Sequence, residues 1–217
     1  MAMRYYRPVV IWLIFLTSFG IGISWKSSGW GGQSLEPVRV LVAYHSMSGN
    51  TGKMARAVGK GAQSVPFTLV EIRRVSEVTA NQLFAADALI VGSPVYWSNM
   101  AGEVKTFFDD WQFKFGVYPE FKMRNKVGAA FATGGQVSSG KEITMLTILA
   151  AMLGNQMIVV SGGGAFGASA TTEGESPGIN EKELADARAL GKRVAEVAWM
   201  VKDGQFNPSN DEDLIVK

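Results

Sequence analysis

From residue 38 onward, short apolar runs alternate with segments whose apolar residues recur every three or four positions. Residues 38–44 (Val-Arg-Val-Leu-Val-Ala-Tyr) read as a buried strand, and residues 67–72 alternate as a second. Residues 88–92, 127–132 and 157–161 are three further apolar runs of strand length. Helical patterns lie between them. Residues 52–63 carry Met54, Ala55, Val58 and Ala62 on one face, and residues 81–85 begin a short helical stretch. Another helix carries Val104, Phe107, Phe108 and Trp111, and two more span 142–153 and 181 to about 202. Strands alternating with helices predict an α/β fold, a doubly wound five-stranded parallel sheet covered on both faces. Ligands in such sheets bind beyond the carboxyl ends of the strands, at the switch point in strand order. The loops 45–51, 93–101, 133–140 and 162–178 fall there, rich in glycine, hydroxyl and aromatic residues.

The pattern changes ahead of this domain. Arg4 and Arg7 precede residues 8–25, an uncharged and largely apolar stretch. As a helix it reaches roughly 27 Å, slightly short of the ~30 Å hydrocarbon core of a bilayer. It reads as an N-terminal hydrophobic helix, a membrane anchor or signal segment within residues 1–25. A flexible, Ser/Gly-rich linker follows at 26–37, then the domain at 38–202 and a polar tail at 203–217. Arg4 and Arg7 would keep the amino terminus in the cytoplasm and send the domain outward. A start codon assigned too early would instead leave the domain cytoplasmic.

Composition narrows the classes. A hydrophobic fraction of 47% with 18% charged residues over 217 positions is that of a globular protein with a large core. The net charge of +2 mixes two unlike regions, because residues 1–34 hold three cations and no acids. The remainder is close to neutral and has no basic stripe, which argues against nucleic-acid binding. The absence of cysteine excludes disulfides, thiolate catalysis and Cys-bound zinc or iron–sulfur clusters. With His45 as the single histidine, no His-based metal site or Ser-His-Asp triad can form elsewhere.

The loop after the first strand joins it directly to a helix, where unpaired amides and the helix dipole favour a phosphate. Ser46, Ser48 and Thr51 add hydroxyl donors, Asn50 an amide, and Gly49 allows close backbone approach. No lysine or arginine lies between Arg39 and Lys53, so dipoles and hydrogen bonds would hold the anion. The loop is neither a Walker A nor a dinucleotide Gly-x-Gly-x-x-Gly, and a Ser/Thr-rich helix cap is its bland alternative. His45 reads as a loop hydrogen-bonding residue. After the third strand, Gly92-Ser93-Pro94-Val95-Tyr96-Trp97 presents two aromatic rings at the sheet's edge, with Asn99 following. A flat heteroaromatic ring needs such a partly apolar seat, although a hydrophobic turn packed on its neighbour would have the same composition. Thr133, Gly134, Gly135 and Gln136 close the fourth strand with backbone amides facing the same place. Residues 138–142 cap a helix, and Phe166 in the last loop is a packing residue or an aromatic lid.

These stretches together carry a resemblance. Ser-x-Ser-Gly-Asn-Thr at 46–51 resembles the phosphate loop of flavodoxins and NADPH-dependent FMN reductases. Gly-Ser-Pro-Val-Tyr-Trp-Ser-Asn-Met at 92–100 and Lys-Val-Gly-Ala-Ala-Phe-Ala-Thr-Gly-Gly-Gln at 126–136 are similar to the tryptophan-repressor-binding-protein type of NAD(P)H:quinone oxidoreductase. The resemblance covers about residues 38–202. It implies a flavodoxin-like fold with strand order 2-1-3-4-5, noncovalent FMN, NAD(P)H as co-substrate, a small quinone acceptor and often a homo-oligomer, dimer or tetramer. It also implies that Ser46, Ser48, Gly49, Asn50 and Thr51 contact the phosphate. Pro94, Val95, Tyr96, Trp97 and Asn99 would form one ring loop, and Thr133, Gly134, Gly135 and Gln136 the other. FMN would carry the chemistry, with no catalytic side chain and no metal. Members of that family commonly carry a histidine in the loop after strand four, whereas residues 136–139 here are Gln-Val-Ser-Ser. The alternative function is a flavodoxin-type electron carrier fed by a protein or quinol partner.

Overall fold

The computed structural model describes residues 36–172 and 178–204. The expected N-terminal hydrophobic helix, most of the linker and most of the tail lie outside them. No helix among the described residues is long and apolar enough to cross a membrane.

In chain order the elements are β1 (Val38–Tyr44), α1 (Asn50–Gln63), β2 (Thr68–Arg74), a 3-10 turn (Val75–Glu77), α2 (Ala80–Ala85), β3 (Ala88–Tyr96), β4 (Asn99–Met100), α3 (Gly102–Phe113), β5 (Val127–Gly134), α4 (Lys141–Gly154), β6 (Ile158–Val159), β7 (Ala168–Thr171) and α5 (Glu181–Asp203). The sheet runs β2-β1-β3-β5-β6, and β2, β1, β3, β5 and β6 are all parallel to their neighbours. Alternate residues of the central strands supply two separate cores, as the period of two requires. Val38, Val40, Val42, Ile90 and Phe131 face α1 and α5. Leu41, Ala43, Leu89 and Val91 face the other way, with Val104, Phe107, Phe108 and Trp111 of α3. Met54, Ala55, Val58 and Ala62, the predicted inner face of α1, are all buried.

The seven-stranded sheet departs from the expected five strands in two places. The third strand does not stop at Gly92 but runs on to Tyr96 and folds back as a hairpin with β4, pairing Val95 with Met100 and Tyr96 with Asn99. The turn residues Trp97 and Ser98 have φ of 50° and 62°, the positive values that a two-residue hairpin turn of matching twist demands. The fifth strand is split. After β6 the chain leaves the sheet and returns as β7, which pairs in parallel with Phe131–Gly134 of β5. This return falls inside what reads in sequence as a loop over 162–178. Gly167 makes it possible, since at its φ of 137° a Cβ would lie 1.9 Å from the Ala130 carbonyl oxygen.

The helix starts are set locally. At α2, the Thr79 hydroxyl accepts from the Gln82 N–H while the Gln82 side chain accepts from the Thr79 N–H, a reciprocal cap. At α5, Asn180 and Glu183 make the same exchange. Glu183 also accepts the Thr171 N–H at 2.7 Å, which ties the start of α5 to the end of β7.

Candidate functional site

The three loops expected to hold the phosphate and the ring meet at the carboxyl ends of β1, β3 and β5, and the first is built around a helix start left open. Ser46 is buried, and its hydroxyl accepts the Gly49 N–H at 3.1 Å. Gly49, at φ 93°, is the residue before the first turn of α1, and no side chain caps that turn. The first-turn amides of α1 therefore point outward with the positive end of the helix dipole behind them, and the first turn contains no acidic residue. Asn50 is buried, donates to the Ser48 hydroxyl, and has its amide oxygen without a partner in the protein. The buried Thr51 and Thr133 hydroxyls meet at 2.8 Å, joining the first loop to the third.

A cation reaches this loop from elsewhere in the chain. Arg74, at the end of β2, donates to the Ser46 carbonyl at 2.8 Å and lies 5.7 Å from the centre of the Tyr44 ring. The expectation of a loop without lysine or arginine holds along the chain but not in space. Parallel register places Arg74 directly beside Tyr44, and that pairing is the only signal that could have found it.

The second loop is the β3–β4 hairpin. Its base is closed by Ser93, whose buried hydroxyl accepts the Ala101 N–H and donates to the Pro94 carbonyl. Asn99 ties the hairpin to α4: its amide oxygen accepts from the Met100 N–H and from the Thr147 hydroxyl. Tyr96 is exposed on one side, and its phenol is held above the usual range, first by partial desolvation and then by the nearby Glu103 carboxylate. Trp97 stands wholly exposed at the hairpin tip.

Behind the third loop lies a residue whose role the sequence did not show. Lys141, the first residue of α4, is buried. Its ammonium donates to the carbonyls of Gln136 and Val137 and to the Thr171 hydroxyl, at 2.9, 3.1 and 2.7 Å. Three donors meet three acceptors, so the loop 133–137 is pinned against β7. Thr172 completes the clamp by donating from its N–H and its hydroxyl to the Gly134 carbonyl. Lys141→Met should remove the ammonium's hydrogen bonds to the carbonyls of Gln136 and Val137 and to the Thr171 hydroxyl. The expected loss is about 1–3 kcal/mol of stability and roughly tenfold in FMN affinity, the latter being the loss equivalent to about 1.4 kcal/mol. Urea unfolding and flavin-fluorescence titration read the two effects.

One open cleft of about 290 Å³ collects nine of the fourteen predicted residues. Ser48, Asn50 and Thr51 line it from the first loop, Pro94, Val95 and Tyr96 from the second, and Thr133, Gly134 and Gly135 from the third. Met47 and Thr172, which were not singled out in sequence, join them. Of the other five, Ser46 and Gly49 shape the first loop, Asn99 ties the hairpin to α4, and Gln136 gives its carbonyl to Lys141. Trp97, exposed at the hairpin tip, does not line the cleft.

This arrangement fits a phosphorylated flat ring. It has an uncapped helix start for the anion, an apolar seat of Pro94, Val95 and Tyr96, and main-chain groups at Gly134 and Gly135 for a polar edge. The unpartnered Asn50 amide oxygen is a buried acceptor of the kind a ligand hydroxyl satisfies, and a flipped amide would turn its N–H donors toward an anion. The family model for NADPH-dependent FMN reductases matches residues 37–172. The chain belongs to that family. It is 32% identical to an NAD(P)H dehydrogenase (quinone) of Geotalea daltonii, covering 75% of this chain and 97% of that one. It is 31% identical to a flavodoxin of Clostridium saccharobutylicum, covering 73% and 96%. Among solved structures, a WrbA-like flavodoxin from Agrobacterium tumefaciens superposes with a TM-score of 0.65 at 27% identity, covering 75% of this chain and 98% of that one.

Membership makes the chain an FMN-dependent oxidoreductase with NAD(P)H as co-substrate. The two relatives differ in one respect. The Geotalea alignment runs over 203 positions yet takes in 75% of 217 residues, about 163, so roughly 40 positions have no counterpart here. The Clostridium alignment spans 160 positions for a similar share of this chain.

The exposed Trp97 is expected to close over the ring when FMN binds. Trp97→Ala should weaken FMN retention roughly two- to tenfold, the worth of one aromatic stacking contact, or shift the flavin's potential. An unchanged dissociation constant and potential would remove Trp97 from the site.

Proposed function

We propose that this domain transfers two electrons from NAD(P)H to a quinone or similar small acceptor through FMN. The observation that carries the reading is the convergence of Thr51, Tyr96 and Gly134, from three separate loops, on one cleft beyond the strand ends. When bound, FMN supplies the redox chemistry. The chain's residues hold and orient it. Asn50, Thr51 and the first turn of α1 take the phosphate. Pro94, Val95 and Tyr96 seat the ring, and the segment 133–135, fixed by Lys141, meets its polar edge. Tyr96 keeps its phenolic proton through the neutral range, so it remains a hydrogen-bond donor beside the ring. The 32% identity to an NAD(P)H dehydrogenase (quinone) supports the choice of acceptor.

Anaerobic stopped-flow absorbance of the FMN-loaded full chain, mixed separately with NADPH and NADH, tests this. Direct bleaching of the oxidised-flavin band, reversed by benzoquinone, is the expected result. A bound flavin that neither nucleotide reduces would sink it in favour of the second reading, a flavodoxin-type carrier fed by a protein or quinol partner. That second reading has its own support: the chain lacks the roughly 40 positions that distinguish the Geotalea alignment and matches a flavodoxin without them.

Two further parts of the proposal concern assembly and place. The exposed Ile143, Leu146 and Leu153 recur along one side of α4, which supports a homo-oligomer, read by light scattering. Residues 8–25 would anchor the chain in a membrane and place the domain outside the cytoplasm. Support comes from their apolar sequence, and alkaline extraction of membranes tests it.

A further inference from the structure

The single histidine of the chain stands behind the ring seat, and nothing in the cleft accounts for its side chain. His45 follows β1 directly, and its N–H donates to the Gly92 carbonyl at 3.1 Å, which fixes its main chain against β3. Its side chain is mostly buried and meets Tyr96 edge to face, with ring centroids 6.2 Å apart. The Nε2 atom is buried without a hydrogen bond and lies 3.6 Å from the Glu103 carboxylate. A neutral imidazole with its proton on Nε2 already aims a donor at that carboxylate; protonation sets a full positive charge opposite it and makes both ring nitrogens donors.

The placement of the pair gives it leverage. His45 sits at the end of β1, Glu103 in the first turn of α3 just after β4, and Tyr96 in the hairpin between them. The three side chains therefore bridge the two roots of the second ring loop. That Glu103 is felt at the Tyr96 phenol is a separate sign of their proximity. The other charged groups at this end are Arg74, engaged with the Ser46 carbonyl and the Tyr44 ring, and Glu77, whose carboxylate accepts the Arg74 N–H.

We propose that His45 is a positioning residue: its protonation closes an ion pair with Glu103 that braces Tyr96 against the cleft and raises FMN retention. This rests on the FMN reading above. With His45 neutral, Glu103 carries an uncompensated negative charge beside a site for an anionic ligand. With His45 protonated, the imidazolium cancels that charge and ties α3 to the end of β1. Glu103 is half-exposed, so solvent screens the pair and the expected effect is modest, roughly two- to fivefold in FMN affinity.

The test uses FMN dissociation constants of the full chain at about pH 5.5 and about pH 8. The same values are measured for His45→Gln and Glu103→Gln. The phosphate of FMN titrates in this window too, but identically for all three proteins. The informative quantity is the ratio of the two constants, compared between parent and variants. Parent retention should gain roughly two- to fivefold more on acidification than either variant, and Glu103→Gln should hold FMN more tightly than the parent at the higher pH. A parent ratio reproduced in His45→Gln overturns the proposal.

A flavin-free measurement separates this from failure of the FMN reading. Urea midpoints of the parent, both single variants and the double variant should be non-additive at the lower pH and additive at the higher one. Additivity at both overturns the pair, whatever the flavin does. Coupling without any change in the flavin ratio overturns the brace and leaves a structural contact. Intact coupling in a chain that binds no FMN at either pH refutes the FMN reading and the retention step with it.

Discussion

Asn50→Asp should abolish FMN retention while leaving the fold as firm as before or firmer. The substitution is nearly isosteric; it adds a charge and reverses the bond to Ser48, whose hydroxyl can donate to the new carboxylate. Asn50 opens α1, is buried, and has its amide oxygen unpartnered at a helix start that no side chain caps. A carboxylate there meets the positive end of the helix dipole, which is worth about 0.3–1 kcal/mol to the free protein. The same carboxylate occupies the electrostatic place of the FMN phosphate. Two like charges about 4 Å apart repel by about 4 kcal/mol at the effective dielectric of a protein surface. That corresponds to roughly a hundred- to thousandfold loss of affinity. Retention should recover partly as the pH falls toward about 4, the ordinary range in which an aspartate carboxyl takes up its proton. Flavin-fluorescence titration gives the affinity, and urea unfolding of the flavin-free protein gives the stability. An affinity unchanged within about twofold would mean that the phosphate, counted at about two negative charges, does not sit on α1.

The site separates what a sequence can show from what it cannot. The central strands were legible because a sheet covered on both faces needs apolar side chains in both directions, and residues 38–44, 88–92 and 127–132 are almost unbroken apolar runs. Their carboxyl ends were legible with them, and the loops there held most of the cleft's lining. The hairpin was not. Its turn uses Trp97 and Ser98 at positive φ, where the usual signal is Asn-Gly, and Pro94 within the run reads as the end of a strand. Strand β7 was hidden for a related reason: Ala-Ser-Ala-Thr is short and polar, and it exists because the open end of β5 offers it a ladder. In sequence Lys141 is one of residues 138–142 that cap a helix, and a lysine carries no signal of burial. Only the fold shows that two carbonyls of the preceding loop and a hydroxyl from β7 converge on its ammonium. Asn99 was marked for the ligand by its position beside the ring loop; the fold adds that Thr147 and its own hairpin hold its amide oxygen.

Gly191→Ala should destabilise the protein, although helix propensity alone predicts the opposite. In a solvated helix the replacement of glycine by alanine gains about 1 kcal/mol. Gly191 lies in the middle of α5 and is packed against α1 so closely that a Cβ would fall 1.9 Å from the Val58 carbonyl oxygen. Gly61 of α1 is its counterpart, with a Cβ position 1.9 Å from the Arg188 carbonyl oxygen. Both obstacles are main-chain atoms, so no rotamer change relieves them and the helices must move apart. Separation opens the core built on Val58, Ala62, Leu190 and Val194. The steric cost is about 3 kcal/mol, so the net loss is about 2 kcal/mol after the propensity gain. That corresponds to a fall of roughly 4–8 °C in Tm for a domain of this size. Thermal and urea unfolding of the parent and variant read the sign directly, and a more stable variant would refute the close helix contact. The consequence extends to the site, because α1 carries the phosphate loop at its start. A helix displaced along this seam moves Asn50 and Thr51 relative to Thr133, whose hydroxyl now meets that of Thr51. FMN affinity should therefore fall together with stability in Gly191→Ala, whereas Asn50→Asp should lose the flavin alone.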